Sequence, residues 1–293
     1  MQKINVGILG TGNIGCDLLV KVQKSPLLQC SIFMGRNLDS KGIQFAKRLG
    51  VRVSADSINA LNDPTVNCDI VFDATTAAYH AGHLEVFKKK GIFSIDLTPA
   101  QIGPMCVPLI NGEEVVKNCD VNMITCGGQA LLPIVYAICK ELPPVKYIET
   151  VTAISSASAG AATRANIDEF TQTTKHALTY FSKAKKAKAI ILLNPAKPEI
   201  LMHNTIYISV DKEPDMKAIS KAAFDMEKKM QSYVPGYKII KGPVFQEDMV
   251  IVMVQVKGAG DFLPSYSGNL DIITSSAVKV AEIFAARKLY GQK

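Results

Sequence analysis

At 293 residues, with 48% hydrophobic and 20% charged side chains, the chain has the length and composition of two globular domains with sizeable cores. Its formal net charge of +7 comes in short lysine groups, Lys88–Lys90 and Lys183–Lys188, with no interleaved aromatic residues; solvated helix ends and loops account for them, attraction of an anionic ligand is the alternative, and nucleic-acid binding gains no support. No apolar run reaches the roughly 18 residues needed to cross a bilayer, and the seven cysteines are scattered without a CxxC pair, so no membrane association, no disulfide framework, no metal site and a reducing cytoplasm are expected.

The opening segment runs straight into a strand pattern, without a charged-then-apolar signal segment. Short β-branched runs at Ile4–Leu9, Leu28–Met34, Asp69–Asp73, Ile92–Asp96 and Val121–Thr125 read as strands. Between them Ile14–Lys24, Ser40–Leu49 and Ala77–Lys90 carry apolar stripes at helical spacing. Such alternation predicts a parallel sheet with right-handed crossovers. A helical run follows through Leu131–Glu141. Beyond about residue 145, strand candidates at Tyr147–Ile154, Ala189–Leu193, Thr205–Val210 and Val250–Val256 are separated by long helical patterns, Ala165–Lys183 and Asp215–Tyr233. Fewer, longer elements of this kind predict an α+β domain on a mixed or antiparallel sheet. A last helix, Asn269–Lys288, is expected to return to the first domain. The predicted boundaries are 1–125, completed by 269–293, and 126–268.

Gly10-Thr11-Gly12-Asn13-Ile14-Gly15 follows the first strand and opens a helix. In that setting the first glycine permits a tight turn, the second admits a pyrophosphate, and the third lets helix and strand pack closely. The phosphates would meet N–H groups at the positive end of the helix. The acidic residue expected about 20 positions on, for the ribose hydroxyls, is missing; Met34-Gly35-Arg36-Asn37 stands there. Arg36 could stack on adenine or accept a 2′-phosphate, which keeps NADP open beside NAD. Equally it could be a solvated loop residue, with Asn37, Asp39 or Ser40 capping the next helix.

Thr125-Cys126-Gly127-Gly128-Gln129-Ala130 places a thiol where a strand gives way to a helix. The helix dipole there favours thiolate, and N–H groups freed by the two glycines could hold an oxyanion. A cysteine taken blindly is an inert core residue, and that reading suits Cys16, Cys30, Cys68 and Cys139. His80 and His83 stand three apart at helical spacing without a third ligand, so a surface or capping role is expected for them.

These residues resemble a known family. Gly10–Gly15, Thr125–Ala130, Thr163-Arg164-Ala165-Asn166-Ile167-Asp168-Glu169-Phe170 and Tyr266-Ser267-Gly268-Asn269-Leu270-Asp271-Ile272 are similar to blocks of the acylating acetaldehyde dehydrogenases that work beside a 4-hydroxy-2-oxovalerate aldolase. The resemblance covers nearly the whole chain. It implies a Rossmann domain, a doubly wound parallel sheet, joined to an α+β catalytic and dimerisation domain of the semialdehyde dehydrogenase type. It implies oxidation of acetaldehyde, and of propanal, to acyl-CoA with NAD and coenzyme A, through a thioester on Cys126. It further implies that Gly10, Thr11, Gly12, Asn13, Ile14 and Gly15 contact the dinucleotide, and that Ser158, Ala159, Gly160, Ala161, Ala162, Thr163, Arg164, Ala165, Asn166 and Asn269 complete the cofactor site. A homodimer, an assembly with the aldolase, or both would be the working form.

The chain departs from the family's pattern in two places. Where the family reads Ser-Ala-Gly-Pro-Gly-Thr-Arg, this chain has Ser158-Ala159-Gly160-Ala161-Ala162-Thr163-Arg164. Two alanines there remove a rigid turn and a positive-φ option. Where many relatives carry an Asp, this chain has Asn204, so no acid-base role is assigned to it. The rival readings are a phosphorylating or semialdehyde dehydrogenase of the same architecture, which calls for a catalytic His after the cysteine, and a non-catalytic dinucleotide-binding regulator, which calls for an appended DNA-binding segment.

Overall fold

The computed structural model describes residues 2–160, 164 and 167–291. It divides into two compact units, one formed by the chain up to Met123 with the stretch from Thr274 onward, the other by Ile124–Ile273.

In the first unit, β1 (Ile4–Leu9), β2 (Leu28–Met34), β3 (Val53–Ser54), β4 (Ile70–Asp73), β5 (Phe93–Asp96) and β6 (Asp120–Asn122) form one parallel sheet in the order β3-β2-β1-β4-β5-β6. The connections carry α1 (Asn13–Lys24), α2 (Lys41–Arg48), α3 (Ala77–Lys90) and α4 (Pro108–Val115). Ile8, Phe33, Phe72 and Ile95 are fully buried, as the central strands of a sheet covered on both faces must be; hence their near-continuous apolar runs. Because β1 lies between β2 and β4, the strand order reverses there, and the crevice outside the carboxyl ends of β1 and β4 is where such sheets bind ligands. Two elements are new relative to the sequence reading. β3 has only two residues, too few for a period, and α4 opens on Pro108 at its first turn, a start signal without a strong stripe behind it. The strand expected at Val121–Thr125 ends at Asn122 instead.

The second unit is built on a mixed sheet, order β10-β11-β9-β7-β8, from β7 (Tyr147–Ser155), β8 (Lys186–Asn194), β9 (Met202–Ser209), β10 (Tyr237–Gln246) and β11 (Met249–Val256). Only β7 and β8 run parallel. Its helices are α5 (Cys126–Lys140), α6 (Ile167–Ser182) and α7 (Met216–Gln231), and α8 (Gly268–Tyr290) begins here and continues into the first unit. Burial alternates strictly along β9 and β11. Ile206, Ile208, Val250, Val252 and Val254 face the helices, and the intervening residues form a half-exposed second face. α5 is apolar nearly all round, with Leu131, Leu132, Ile134, Val135 and Ile138 fully buried, so it occupies the centre of the helical layer. The fully buried Tyr237 donates from its hydroxyl to the Ala130 carbonyl at 2.6 Å, which satisfies the one polar atom the ring takes into the core. β10 escapes sequence detection because Lys238, Lys241, Gly242 and Pro243 break its alternation, and its register with β11 shifts twice.

Candidate active site

The glycine motif of the first unit has the geometry its spacing implies. Gly10 has φ 116°, and a Cβ there would stand 2.5 Å from the Ala74 carbonyl oxygen, so only glycine makes this turn. A Cβ on Gly15 would collide with the Gly10 carbonyl oxygen; its absence lets α1 lie against β1. Gly12 meets nothing within 4 Å. It is the N-cap of α1 and has no side-chain cap. The first-turn N–H groups therefore face open space, with Thr11 half-buried and Asn13 exposed beside them. That cradle fits a pyrophosphate. Arg36 leaves the end of β2 exposed, its guanidinium carbon 6.0 Å from the centre of the Tyr79 ring.

In the second unit Cys126 is the first residue of the 15-residue α5. The residue two before it, Ile124, holds φ 66°, unusual for a β-branched side chain. Thr125 caps the helix, its hydroxyl accepting from the Gly128 N–H at 2.8 Å. The Thr125 and Thr174 hydroxyls lie 2.8 Å apart, and Thr174 donates to the Phe170 carbonyl at 2.8 Å. Gly127 and Gly128 do not turn the chain but form the helix's first turn. A Cβ on Gly127 would sit 3.0 Å from the Phe170 ring and 3.1 Å from the Thr152 hydroxyl; one on Gly128 would meet Ile124 and Thr125 at 3.0 Å. The glycines are there for close approach. Of the donors expected to be open, the Gly128 N–H is already taken by Thr125, which leaves those of Cys126 and Gly127.

The expected resting thiolate is not found. Cys126 as a residue is half-buried, but its thiol is enclosed by protein, and burial pushes it up to about 12. The backbone N–H groups of Gly127 and Cys126 pull the other way without prevailing. Cys30, Cys106 and Cys139 are pushed up to about 12 chiefly by the same cause. What sets Cys126 apart is its place before a helix's free donors rather than its acidity.

The same unit brings Ser158 and Asn269 together. Asn269, buried in the first turn of α8, donates to the Ser158 carbonyl at 3.3 Å, and its Oδ1 is buried without a partner. Ala159 is buried, whereas Gly160 is exposed with nothing within 4 Å of a Cβ. Arg164 binds backbone, its guanidinium donating to the carbonyls of Ser156 at 2.6 Å and Ala159 at 3.2 Å. Ala161, Ala162, Thr163, Ala165 and Asn166 lie outside the described residues. Asn204 is fully buried in β9 and accepts from the Thr152 hydroxyl at 2.8 Å.

The expectation for His80 and His83 is overturned. Both are buried in α3 and share one carboxylate, with Nδ1 of His80 2.9 Å and Nδ1 of His83 2.8 Å from Asp73 Oδ2. Nε2 of His80 lies 3.4 Å from Asp120 and 3.5 Å from Asp96. Burial alone would lower the His80 pKa, but the hydrogen bonds and charges of Asp120, Asp73 and Asp96 raise it to about 10. Burial would likewise raise that of Asp73, yet His80, His83 and Thr75 hold its carboxyl well below the usual carboxylate range. Burial raises Asp96 to about 6 against the pull of His80 and Thr98. Among the described residues no group of three or more His, Cys, Asp or Glu is arranged to hold a metal ion.

A parallel sheet with a glycine turn at its switch point, joined to a mixed-sheet unit, is the fold of the semialdehyde dehydrogenases. The aspartate semialdehyde dehydrogenase of Candida albicans, a structure with NADP, superposes with a TM-score of 0.72 at 12% identity over 98% of this chain and 100% of that one. Aspartate semialdehyde dehydrogenase II of Vibrio cholerae superposes with a TM-score of 0.66 at 14% identity over 99% and 100%. In sequence, the acetaldehyde dehydrogenase of Brevibacillus brevis is 48% identical over 97% of each chain, and that of Geobacillus stearothermophilus 47% identical over 100% of this chain and 99% of its own. Residues 126–264 match the family model described as prokaryotic acetaldehyde dehydrogenase, dimerisation. The chain belongs to the acetaldehyde dehydrogenase family and is an enzyme of that kind.

Proposed function

We propose that this enzyme is CoA-acylating: it oxidises acetaldehyde, and propanal as a second substrate, to the acyl-CoA, with Cys126 carrying the acyl group. The observation that carries the reading is a lone thiol at the start of α5 with the N–H groups of Cys126 and Gly127 beside it. The sulfur adds to the aldehyde carbon, and its proton passes to the carbonyl oxygen or to solvent. The two N–H groups stabilise negative charge as it develops on that oxygen. On oxidation the carbon gives up a hydride and the oxygen releases to solvent any proton it took, leaving the acyl group as a thioester on Cys126. The CoA sulfur displaces it, and the CoA thiol's proton passes to the Cys126 sulfur.

A bound nicotinamide dinucleotide, NAD in the first instance and NADP as the alternative, supplies the hydride acceptor. Within the first unit, proposed as the dinucleotide-binding domain, Gly10 and Gly15 shape the turn, and the N–H groups of Gly12, Asn13 and Ile14 hold the pyrophosphate, with Thr11 flanking it and Arg36 at the adenosine end. In the second unit the unpartnered Oδ1 of Asn269 suits an amide N–H of the nicotinamide carboxamide. Ser158 and Gly160 line its neighbourhood, and Arg164 braces their loop.

The half-exposed face of the second sheet is the proposed homodimer surface. Val151, Ile190, Leu192, Tyr207, Ile251 and Met253 lie on it, and the matching family model is described as a dimerisation domain. An aldolase that releases the aldehyde is the proposed second partner. All seven cysteines are free, which suits a reducing cytoplasm, and among the described residues no helix is long and apolar enough to cross a membrane.

The test is Cys126→Ser, assayed with acetaldehyde, CoA and NAD. Acyl-CoA formation should vanish, while NAD binding by calorimetry stays within about twofold, since the glycine turn is untouched. CoA-dependent activity surviving in that variant would overturn the assignment.

A further inference from the structure

We propose that Arg36 and Tyr79 are the two walls of an adenine slot, which makes Tyr79 a further nucleotide-binding residue. The inference rests on the reading of the first unit as a dinucleotide-binding domain. Two loops converge on the glycine turn. A Cβ on Gly35, at the end of β2, would stand 2.5 Å from the Thr11 methyl, and one on Gly10 would stand 2.5 Å from the carbonyl oxygen of Ala74, just after β4. Arg36 follows Gly35 directly, and Tyr79 lies in the first turn of α3, five residues beyond Ala74. The two side chains therefore reach from opposite flanks of β1 and meet 6.0 Å apart.

Each is poorly explained otherwise. Tyr79 is 54% exposed, although its ring lies nearly parallel to that of His83, itself pinned by Asp73. Among the described residues no carboxylate pairs with Arg36. At 6.0 Å the cation sits at the outer limit of useful attraction to the ring. A purine would improve both contacts. Flat groups pack about 3.5–4 Å apart, so a base between two walls needs roughly 7–8 Å, and an opening of about 1–2 Å by two exposed side chains would admit it. Guanidinium and phenol both stack on bases. The slot also answers the missing acidic residue after β2. With Arg36-Asn37 there, the adenosine end must be held by something other than a ribose carboxylate, and stacking supplies that without repelling a 2′-phosphate.

Calorimetric titration of the full chain with ADP-ribose tests this. Tyr79→Ala and Arg36→Ala should each weaken binding about tenfold. Tyr79→Phe should restore wild-type affinity within about twofold, because the ring rather than the hydroxyl is the wall. Both alanine variants should melt as the wild type does, the side chains being exposed. Wild-type affinity in Tyr79→Ala overturns the slot while leaving the dinucleotide reading intact. So does an Arg36→Ala variant that loses affinity for NADP alone, since Arg36 would then be a phosphate ligand. A wild-type chain that binds neither ADP-ribose nor NAD overturns both.

Discussion

Cys126 combines two opposing environments. The helix start and its two N–H groups favour charge on the sulfur, whereas the surrounding protein disfavours it, and burial prevails. Reactivity therefore cannot come from a standing thiolate. Between pH 6 and 9.5 the rate of alkylation by iodoacetamide in the free enzyme should climb about tenfold per pH unit without a plateau, as for a thiol titrating far above the range; a plateau near neutrality would show that the donors win after all. The proposed nucleophile and the proposed phosphate turn could be picked out in the sequence because each lies within a few consecutive residues: Gly10–Gly15 and Thr125–Ala130. The thiol's protonation was not legible. It depends on burial at the first turn of α5, where residues from distant elements, such as Thr152 and Phe170 against Gly127, pack in.

The strand ends of the first sheet are tied by charge. Asp73 closes β4, Asp96 closes β5 and Asp120 opens β6, and all three face His80 of α3. The histidine's pKa is raised from 6.5 to about 10, so its stabilising share is complete below pH 6.5 and lost as pH rises through 10. Asp73 is lowered, so its share is present above 3.8 and lost as pH falls below that. Asp96, raised to about 6, works against them: what it adds is present below 3.8 and gone above 6. Denaturant midpoints should accordingly fall between pH 8 and 10.5. His80→Leu should flatten that decline and cost about 3–5 kcal/mol at neutral pH, having stripped the cation from buried carboxylates. A wild-type midpoint that stays level to pH 10.5 would rule the coupling out. The sequence suggested a peripheral role for His80 because helical spacing says nothing about three carboxylates 7, 16 and 40 residues away. The apolar runs β1 and β2, and α3, which Gly91 closes, were legible to the residue, whereas β3, α4 and β10, short or broken by Gly and Pro, were not.

At the scale of the whole molecule, the alternation of the second sheet leaves one face unclaimed by the helices. Leu192, 51% exposed in β8, is the most solvent-accessible large apolar residue in the chain's strands. A stable dimer needs roughly 800 Å² from each partner, more than scattered surface residues supply but within reach of five strands. If the homodimer uses this face, Leu192→Glu should shift sedimentation towards monomer at micromolar concentration without lowering the melting cooperativity of each subunit. An unchanged dimer would place the interface elsewhere. The change from a parallel to a mixed sheet near residue 125 was visible in the sequence as a change in element length and spacing.

The contacts around Thr125 have a polarity. Thr174 has one proton, and it goes to the Phe170 carbonyl. The 2.8 Å contact between the threonines can then only be a donation from Thr125, whose oxygen in turn receives the Gly128 N–H. Every hydrogen in the chain from Gly128 to Phe170 therefore points one way, and each bond polarises the next. The Thr125 hydroxyl beside the proposed nucleophile has no free proton to lend, and a proton taken on its remaining lone pair would have to leave along a chain that ends at an amide carbonyl. It is a wire with both ends soldered, and the proton that leaves the sulfur must take another road.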